Sequence, residues 1–108
     1  AYCHCGWAKG IGQALMEEGS LAGRGQPITG SFMDSALPLA EDIPLMEVGD
    51  HPAPAKTNPL GTKGCGEAGC AGSLVCIVNA VIDALSEYGV THIDMPLRGE
   101  KLWRIMNG

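Results

Sequence analysis

An apolar run in the second half of the chain, residues 73–88, constrains the fold more than any other feature. Seven of its positions carry aliphatic side chains, namely Leu74, Val75, Ile77, Val78, Val81, Ile82 and Leu85. Its polar positions recur at helical spacing, at Asn79, Asp83, Ser86 and Glu87. We therefore predict a helix over Ser73–Tyr88 that is buried on most of its faces and ends at Gly89.

The size and composition of the chain allow one domain at most. It has 108 residues, of which 45% are hydrophobic but only five are aromatic. A net charge of −5 and seven scattered basic residues argue against nucleic-acid binding, because phosphates are bound by clustered Lys and Arg. No membrane-length apolar run or secretion leader is present in this sequence. Because residue 1 is Ala, we expect a processed product or an excerpt from a longer protein.

The first third of the chain predicts a second helix. Apolar residues at Trp7, Ala8, Ile11, Ala14 and Leu15 form one stripe of a helix over 6–18. Gly10 and Gly12 each weaken that helix by roughly 1 kcal/mol, and such glycines often allow another backbone or a ligand to approach closely. Gly19 is the expected stop.

The rest of the chain reads as irregular or weakly stranded. Six of the seven prolines lie in residues 20–62, which suggests a connector that packs over something outside this chain. Short strands are predicted at 28–33, 43–48 and 90–95, and a final helix at 100–106. The expected class is α+β, with two main helices, short strands and a last short helix.

The five cysteines favour a reducing, cytoplasmic compartment. They are Cys3, Cys5, Cys65, Cys70 and Cys76, an odd number without regular spacing. Zinc ligands usually occur as two matched C-x₂₋₄-C pairs, which this pattern does not provide. Structural or incidental cysteines are therefore the favoured interpretation, and a small metal-binding domain is the minor alternative.

A lone carboxylate in a glycine-rich turn is the strongest functional signal. The segment is Gly64-Cys65-Gly66-Glu67-Ala68. Glycine allows backbone conformations and close approaches that other residues cannot make. A glutamate placed there against a bulky ligand, with water excluded, is a candidate general base. The alternative is a solvated Glu in a surface turn before a helix.

Several separated motifs together resemble one family. They are 10–18 (GIGQALMEE), 30–34 (GSFMD), 57–61 (TNPLG), 63–69 around Glu67, 78–81 (VNAV) and 92–97 (HIDMPL). In this order they resemble the C-terminal part of the molybdopterin-binding large subunit of the xanthine dehydrogenase and aldehyde oxidase family, the molybdenum hydroxylases. The resemblance implies that residues 1–108 are an incomplete, C-terminal segment of a molybdenum-cofactor-binding domain.

The resemblance also implies a chemistry. Such enzymes hydroxylate an aldehyde or N-heterocycle with oxygen from water, and Glu67 matches their general base. Gly64, Cys65 and Gly66 match the backbone that lies along the cofactor. The implied cofactor is molybdenum-molybdopterin, in bacterial members generally its cytosine dinucleotide form. The implied partners are the rest of the molybdenum subunit and the domains or subunits that carry [2Fe-2S] clusters and FAD.

The chain departs from the family pattern near its start. Relatives usually have His-Gly-Gly-x-x-Gln-Gly where this sequence has His4-Cys5-Gly6-Trp7-Ala8-Lys9-Gly10. Lys9 thus replaces a glutamine that commonly contacts the pterin. It would either pair with a cofactor phosphate or weaken cofactor binding. A second hypothesis, motivated by the small core and the long connector at residues 20–62, is a non-catalytic remnant or assembly segment that packs against a partner chain through the helix over 73–88.

Overall fold

Three α-helices form the framework of the chain in a computed structural model, which describes residues 2–108. They are α1 (Tyr2–Leu15), α2 (Ala68–Ala84) and α3 (Gly99–Asn107). One-turn 3₁₀ helices occur at Phe32–Asp34, Ala40–Asp42 and Ser86–Tyr88. The long segment between α1 and α2 is otherwise turns and extended chain.

Helices α1 and α2 pack against each other through glycines. A Cβ on Gly6 would lie 2.8 Å from the backbone N of Cys70, and a Cβ on Gly69 would lie 3.0 Å from the carbonyl O of Cys3. The first distance is closer than real Cβ atoms approach and the second is tighter than most Cβ contacts, so the two backbones are nearly in contact. At Gly10 a Cβ would overlap the side chain of Ser73. The predicted close approach at Gly10 is confirmed, and the neighbour is another helix of the same chain.

A small core lies where α2 meets the chain that leads into α3. Leu85, Ile93 and Leu97 are buried there. Partly buried apolar residues surround them, namely Leu15, Val78, Val81, Ile82, Val90, Leu102 and Ile105. The N–H of Leu97 donates to the carbonyl O of Ala14 at 2.7 Å, which ties this segment to the end of α1.

The predicted strands are wrong. Within residues 2–108 the only β pairing is an isolated antiparallel bridge between Leu21 and Pro27. No neighbouring strand pairs with the predicted segments 28–33, 43–48 and 90–95. Their backbone groups therefore form no series of hydrogen bonds between strands. Part of 28–33 instead enters the 3₁₀ turn at Phe32–Asp34. The described chain is mostly helical rather than α+β.

The helix boundaries also differ from the predictions. Helix α2 begins at Ala68, five residues before the predicted start, because Gly69 and Cys70 pack against α1. Helix α1 begins at Tyr2 and ends at Leu15. The N–H groups of Met16 and Glu17 both donate to the carbonyl O of Gly12, so the helix ends before Gly19. Helix α2 itself ends at Ala84, four residues before the predicted end at Tyr88. Gly89, with φ of 74°, ends the 3₁₀ turn that follows the helix.

The expectation that the apolar helix is buried on most faces is wrong within this chain. Of the α2 residues only Ser73 is fully buried, and Val75 is 62% exposed. One face of α2 packs on α1 and its C-terminal half packs on the small core around Ile93 and Leu97, but the side that carries Val75 stays uncovered in the described chain. Across residues 2–108 no helix is both long and apolar enough to cross a bilayer.

Candidate functional site

The glycine turn that precedes α2 is an open surface. Gly64, Cys65, Gly66 and Glu67 are all exposed, and the turn closes with the N–H of Ala68 donating to the carbonyl O of Cys65 at 3.3 Å. Glu67 occupies the residue just before α2. Its carboxylate makes no capping hydrogen bond to the start of the helix. The carboxylate is therefore not committed to holding the helix end.

Neither glycine of this turn is required by the conformation of the chain. Gly64 and Gly66 are not among the glycines with positive φ, and a Cβ on either would meet no atom within 4 Å. Gly69, only three residues beyond Gly66, is by contrast sterically required against α1. A close approach at Gly64 and Gly66 would have to come from a group outside the described chain. The role of Gly64, Cys65 and Gly66 as backbone along a cofactor stays a prediction.

The turn is held firmly from its C-terminal side. Glu67 lies two residues before Gly69, whose backbone contacts Cys3 in the first turn of α1. Because the backbones of α1 and α2 are nearly in contact, the start of α2 cannot shift without displacing α1. The position of Glu67 is therefore fixed by helix packing rather than by its own side chain.

Asn58 organises the loop that enters the turn. Its Oδ1 accepts from the N–H of Thr62 at 3.0 Å, and its Nδ2 donates to the carbonyl O of Thr62 at 3.0 Å. Gly61 adopts φ of 66°, which favours glycine, and its O accepts from the N–H of Ala55 at 2.9 Å. In the sequence, Asn58 stands out only as part of the motif at residues 57–61. The Asn-Pro pair at 58–59 was the available signal for a side-chain-stabilised turn.

Lys9 lies on α1, not in the turn. Its side chain is exposed, and in the described part of the chain no salt bridge joins it to Glu67. It is adjacent to Gly10, which packs against Ser73 of α2. The role of Lys9 in cofactor binding stays a prediction.

Two clefts of the described chain lie away from this turn. A cleft of about 350 Å³ between α1 and the connector is lined by Cys3, His4, Trp7, Met46, Glu47, Val48 and Gly49. Neither it nor a neighbouring cleft of about 450 Å³ includes Lys9 or any residue of the glycine turn. The connector thus packs along α1, while the turn that carries Glu67 is not enclosed by this chain.

The cysteines do not form a metal site in the described residues. All five have free thiols, and Cys70 is the only one not classed as exposed. Within 2–108 no three His, Cys, Asp or Glu side chains are grouped as metal ligands would be. The alternative of a small metal-binding domain has no support in this geometry.

Comparisons with known proteins identify relatives of the whole chain. The carbon monoxide dehydrogenase large chain of Hydrogenophaga pseudoflava is 32% identical over 101 residues, which cover 94% of this chain and 13% of that protein. The nicotine 6-hydroxylase large subunit of Paenarthrobacter nicotinovorans is 33% identical over 103 residues, covering 95% of this chain and 13% of that subunit. No protein-family model matches the chain.

The fold comparison agrees. A crystal structure of Cu,Mo-CO dehydrogenase in its carbon monoxide reduced state superimposes with a TM-score of 0.89 and 32% identity, over 98% of this chain and 13% of that one. The chain therefore spans about one eighth of the length of the proteins it matches. The predicted relationship to molybdenum enzymes is confirmed at this level. This chain is homologous to a short segment of the large subunits of molybdenum hydroxylases.

Proposed function

We propose that this chain forms one wall of the molybdenum site in a hydroxylase of the xanthine dehydrogenase and aldehyde oxidase type, with Glu67 as general base. The observation that carries the proposal is the glycine turn itself. Two glycines that the chain does not need for its own conformation stand directly before a carboxylate that has no capping role. Similarity to molybdenum enzymes over nearly the whole chain supports a cofactor as the missing neighbour.

Different residues of this chain would contact different parts of the cofactor. The backbone at Gly64, Cys65 and Gly66 would lie along the pterin, because side chains at the two glycines would fill the open side of the turn. Lys9 would meet a phosphate of the cofactor, in the cytosine dinucleotide form that the family resemblance implies. When bound, the molybdenum centre would accept two electrons and lower the pKa of the water that supplies the oxygen.

Glu67 would move one proton. Its carboxylate would accept a proton from the water that supplies the oxygen, and this would prepare that oxygen for attack on an electrophilic carbon of an aldehyde or N-heterocycle. Exclusion of water would have to come from the rest of the subunit, since Glu67 is exposed here. Because Glu67 directly precedes α2, the helix would hold its carboxylate beside the backbone of the glycine turn.

Substrate choice is expected to lie outside this segment. Two relatives with nearly equal identity to the chain are named for carbon monoxide and for nicotine, which differ greatly in size and chemistry. The electrons would leave through [2Fe-2S] and FAD centres on other domains or subunits of a cytoplasmic enzyme. These partners follow from the family resemblance.

Substitution of Glu67 in the assembled enzyme tests the proposal. Glu67→Gln keeps the size of the side chain but removes the base, so kcat should fall by about 10²–10⁴-fold. Molybdenum content measured by mass spectrometry should not change. Glu87→Gln, at another exposed carboxylate, is the control and should leave kcat within twofold. If Glu67→Gln also keeps full turnover, Glu67 is not the base.

The second candidate, a non-catalytic assembly segment, is favoured by the exposed side of α2. Val75 on that helix is 62% exposed, so the side of the helix that carries it has no cover in the described chain. Under this alternative the chain would bind its partner and Glu67→Gln would change no catalytic rate. The same pair of Glu67 and Glu87 variants therefore separates the two candidates.

A further inference from the structure

Helices α1 and α2 run in the same direction where they touch. Gly6 of α1 faces Gly69 in the first turn of α2. One turn further along α1, Gly10 faces Ser73, which is also one turn further along α2. The beginning of α1 therefore lies beside the first turn of α2, and Glu67 directly precedes that turn.

The contact at Gly6 joins backbone to backbone. A Cβ at residue 6 would lie 2.8 Å from the N of Cys70, and 2.9 Å and 3.0 Å from the Cα and carbonyl carbon of Gly69. Gly6 is not among the glycines with positive φ, so its conformation alone would accept a side chain. Because the three nearest atoms all belong to the main chain of α2, no side-chain rotation can make room for a Cβ. A larger residue at position 6 must therefore push the two helices apart.

The first turn of α2 carries the backbone of Glu67 with it. The carbonyl O of Glu67 accepts from the N–H of Ala71 at 3.0 Å, which is a helical bond between residues four apart. Gly69 and Cys70, the two residues that Gly6 contacts, lie between these two bonded residues. A displacement of this turn therefore moves the Cα of Glu67 as well. The Glu67 side chain does not resist that movement by a capping bond to the helix.

We propose that Gly6 is a positioning residue for the general base. It touches no reacting atom and acts through the first turn of α2, which it allows to lie close enough to α1 to set the place of Glu67. The proposal rests on the function proposed above, in which Glu67 is the base. It adds a residue of another helix on which the rate of proton transfer depends.

The displacement that a Cβ requires is large enough to affect proton transfer. Ordinary contacts of a Cβ begin at 3.4 Å, whereas the three backbone atoms lie 2.8–3.0 Å from the position of this one. The backbones must therefore separate by about 0.5 Å, which is the tolerance within which a catalytic group has to be held. Because a misplacement of about 1 Å can cost about 10²-fold in rate, we expect Gly6→Ala to lower kcat by about tenfold.

Kinetics of the assembled enzyme test the proposal. In Gly6→Ala, kcat per bound molybdenum should fall by about tenfold, while KM stays within about twofold and the molybdenum content measured by mass spectrometry is unchanged. A purely structural defect would lower the amount of molybdenum-containing enzyme rather than the rate per molybdenum. Gly72→Ala, on α2 with open space at its Cβ position, is the matched control and should leave kcat within about twofold.

A double-mutant cycle shows whether Gly6 acts through Glu67. In a Glu67→Gln background the base is already absent, so adding Gly6→Ala should change kcat by less than about twofold. If the two losses instead multiply, or if Gly6→Ala alone keeps full kcat, the positioning role is overturned while the base stands. Full turnover in Glu67→Gln would instead remove the base, and the positioning role with it, so that failure is recognisable as a failure of the proposed function.

Hydrogen exchange gives a readout that needs no bound cofactor. In Gly6→Ala the peptide that contains residues 67–71 should exchange about tenfold faster, because overpacking weakens the first turn of α2. The same peptide should not exchange faster in Gly72→Ala. Unchanged exchange in Gly6→Ala would show that Gly6 does not control this turn and would overturn the proposal.

Gly69→Ala is the second variant, and it decides the question if Gly6→Ala yields no molybdenum-containing enzyme. Its Cβ would meet the same interface from the side of α2, at 3.0 Å from the carbonyl O of Cys3 and 3.3 Å from the Cα of Gly6. These contacts are less severe than those at residue 6, so kcat should fall by about fivefold. That loss should again disappear in the Glu67→Gln background, and a loss that persists there would overturn the proposal.

Discussion

Gly10 of α1 lies so close to Ser73 of α2 that a single methyl group at residue 10 would overlap the serine side chain. Ser73 is 1% exposed, and its hydroxyl donates to the carbonyl O of Cys70 at 3.1 Å. This contact holds together the two helices that fix the glycine turn. The stability of the chain and the placement of Glu67 thus depend on the same interface.

Gly10→Ala is predicted to destabilise the chain. The added Cβ must displace Ser73 or separate the helices, and overpacking of this kind costs about 1–3 kcal/mol. The measurement is urea unfolding followed by circular dichroism. Gly72→Ala is the matched control, because Gly72 lies in α2 with open space around its Cβ position. There alanine should stabilise the chain by about 0.5–1 kcal/mol. Equal effects of the two substitutions would contradict the close contact.

Ser73→Gly is predicted to rescue Gly10→Ala. Glycine at residue 73 removes both atoms that the new methyl group would meet. The double variant should therefore be more stable than the sum of the two single effects, with a coupling energy of about 0.5–3 kcal/mol. A double-mutant cycle from the same unfolding curves measures this value. Strict additivity would show that the two residues are not in contact.

The ion pair between Arg98 and Glu18 is predicted to contribute little. Arg98 Nη1 lies 2.5 Å from Glu18 Oε2, but the two side chains remain 55% and 42% exposed. Exposed pairs of this kind are worth about 0.2–1 kcal/mol and are screened by salt. Arg98→Ala should lower the free energy of unfolding within that range at 50 mM salt, and by less at 1 M salt. Arg24→Ala, at an exposed arginine outside the three described ion pairs, should have no salt-dependent effect.

Asn58→Ala is predicted to loosen the loop that leads into the glycine turn. It removes the bonds between the Asn58 amide and both backbone groups of Thr62. Losing about 1.4 kcal/mol of local stability corresponds to tenfold faster hydrogen exchange at the Thr62 N–H. Hydrogen exchange by NMR measures this rate. Asn79→Ala, on the exposed side of α2, is the control and should leave it unchanged. Unchanged exchange in Asn58→Ala would show that this side chain does not hold the loop.

Periodicity predicted the helices but not their extents. The aliphatic spacing after Ser73 correctly indicated α2, and Gly89 correctly indicated its terminal turn. The first five residues of α2 carry no apolar stripe of that kind. They are helical because Gly69 and Cys70 pack against α1, which is a long-range contact that local spacing does not reveal.

The predicted strands failed for a related reason. The sequence of residues 28–33 and 43–48 favours extended chain, but a strand exists only when another strand pairs with it. In the described chain residues 20–62 have no strand partner beyond the single bridge between Leu21 and Pro27, and their backbone bonds close local turns instead. The preference for extended chain matched the local conformation of parts of residues 20–62. It wrongly predicted that these parts pair into a sheet.

The sequence by itself determined the two main helices and the terminal turn at Gly89, because these depend on the local spacing of residues. It also determined the likeness to molybdenum enzymes, which depends on the order of the motifs. Only the tertiary structure decided which glycines are sterically required. It assigns Gly6, Gly10 and Gly69 to the helix interface and leaves Gly64 and Gly66 facing open space. The physical reason is that glycine is required only where another atom occupies the space of a Cβ. The sequence does not show which atoms lie within 4 Å of that position.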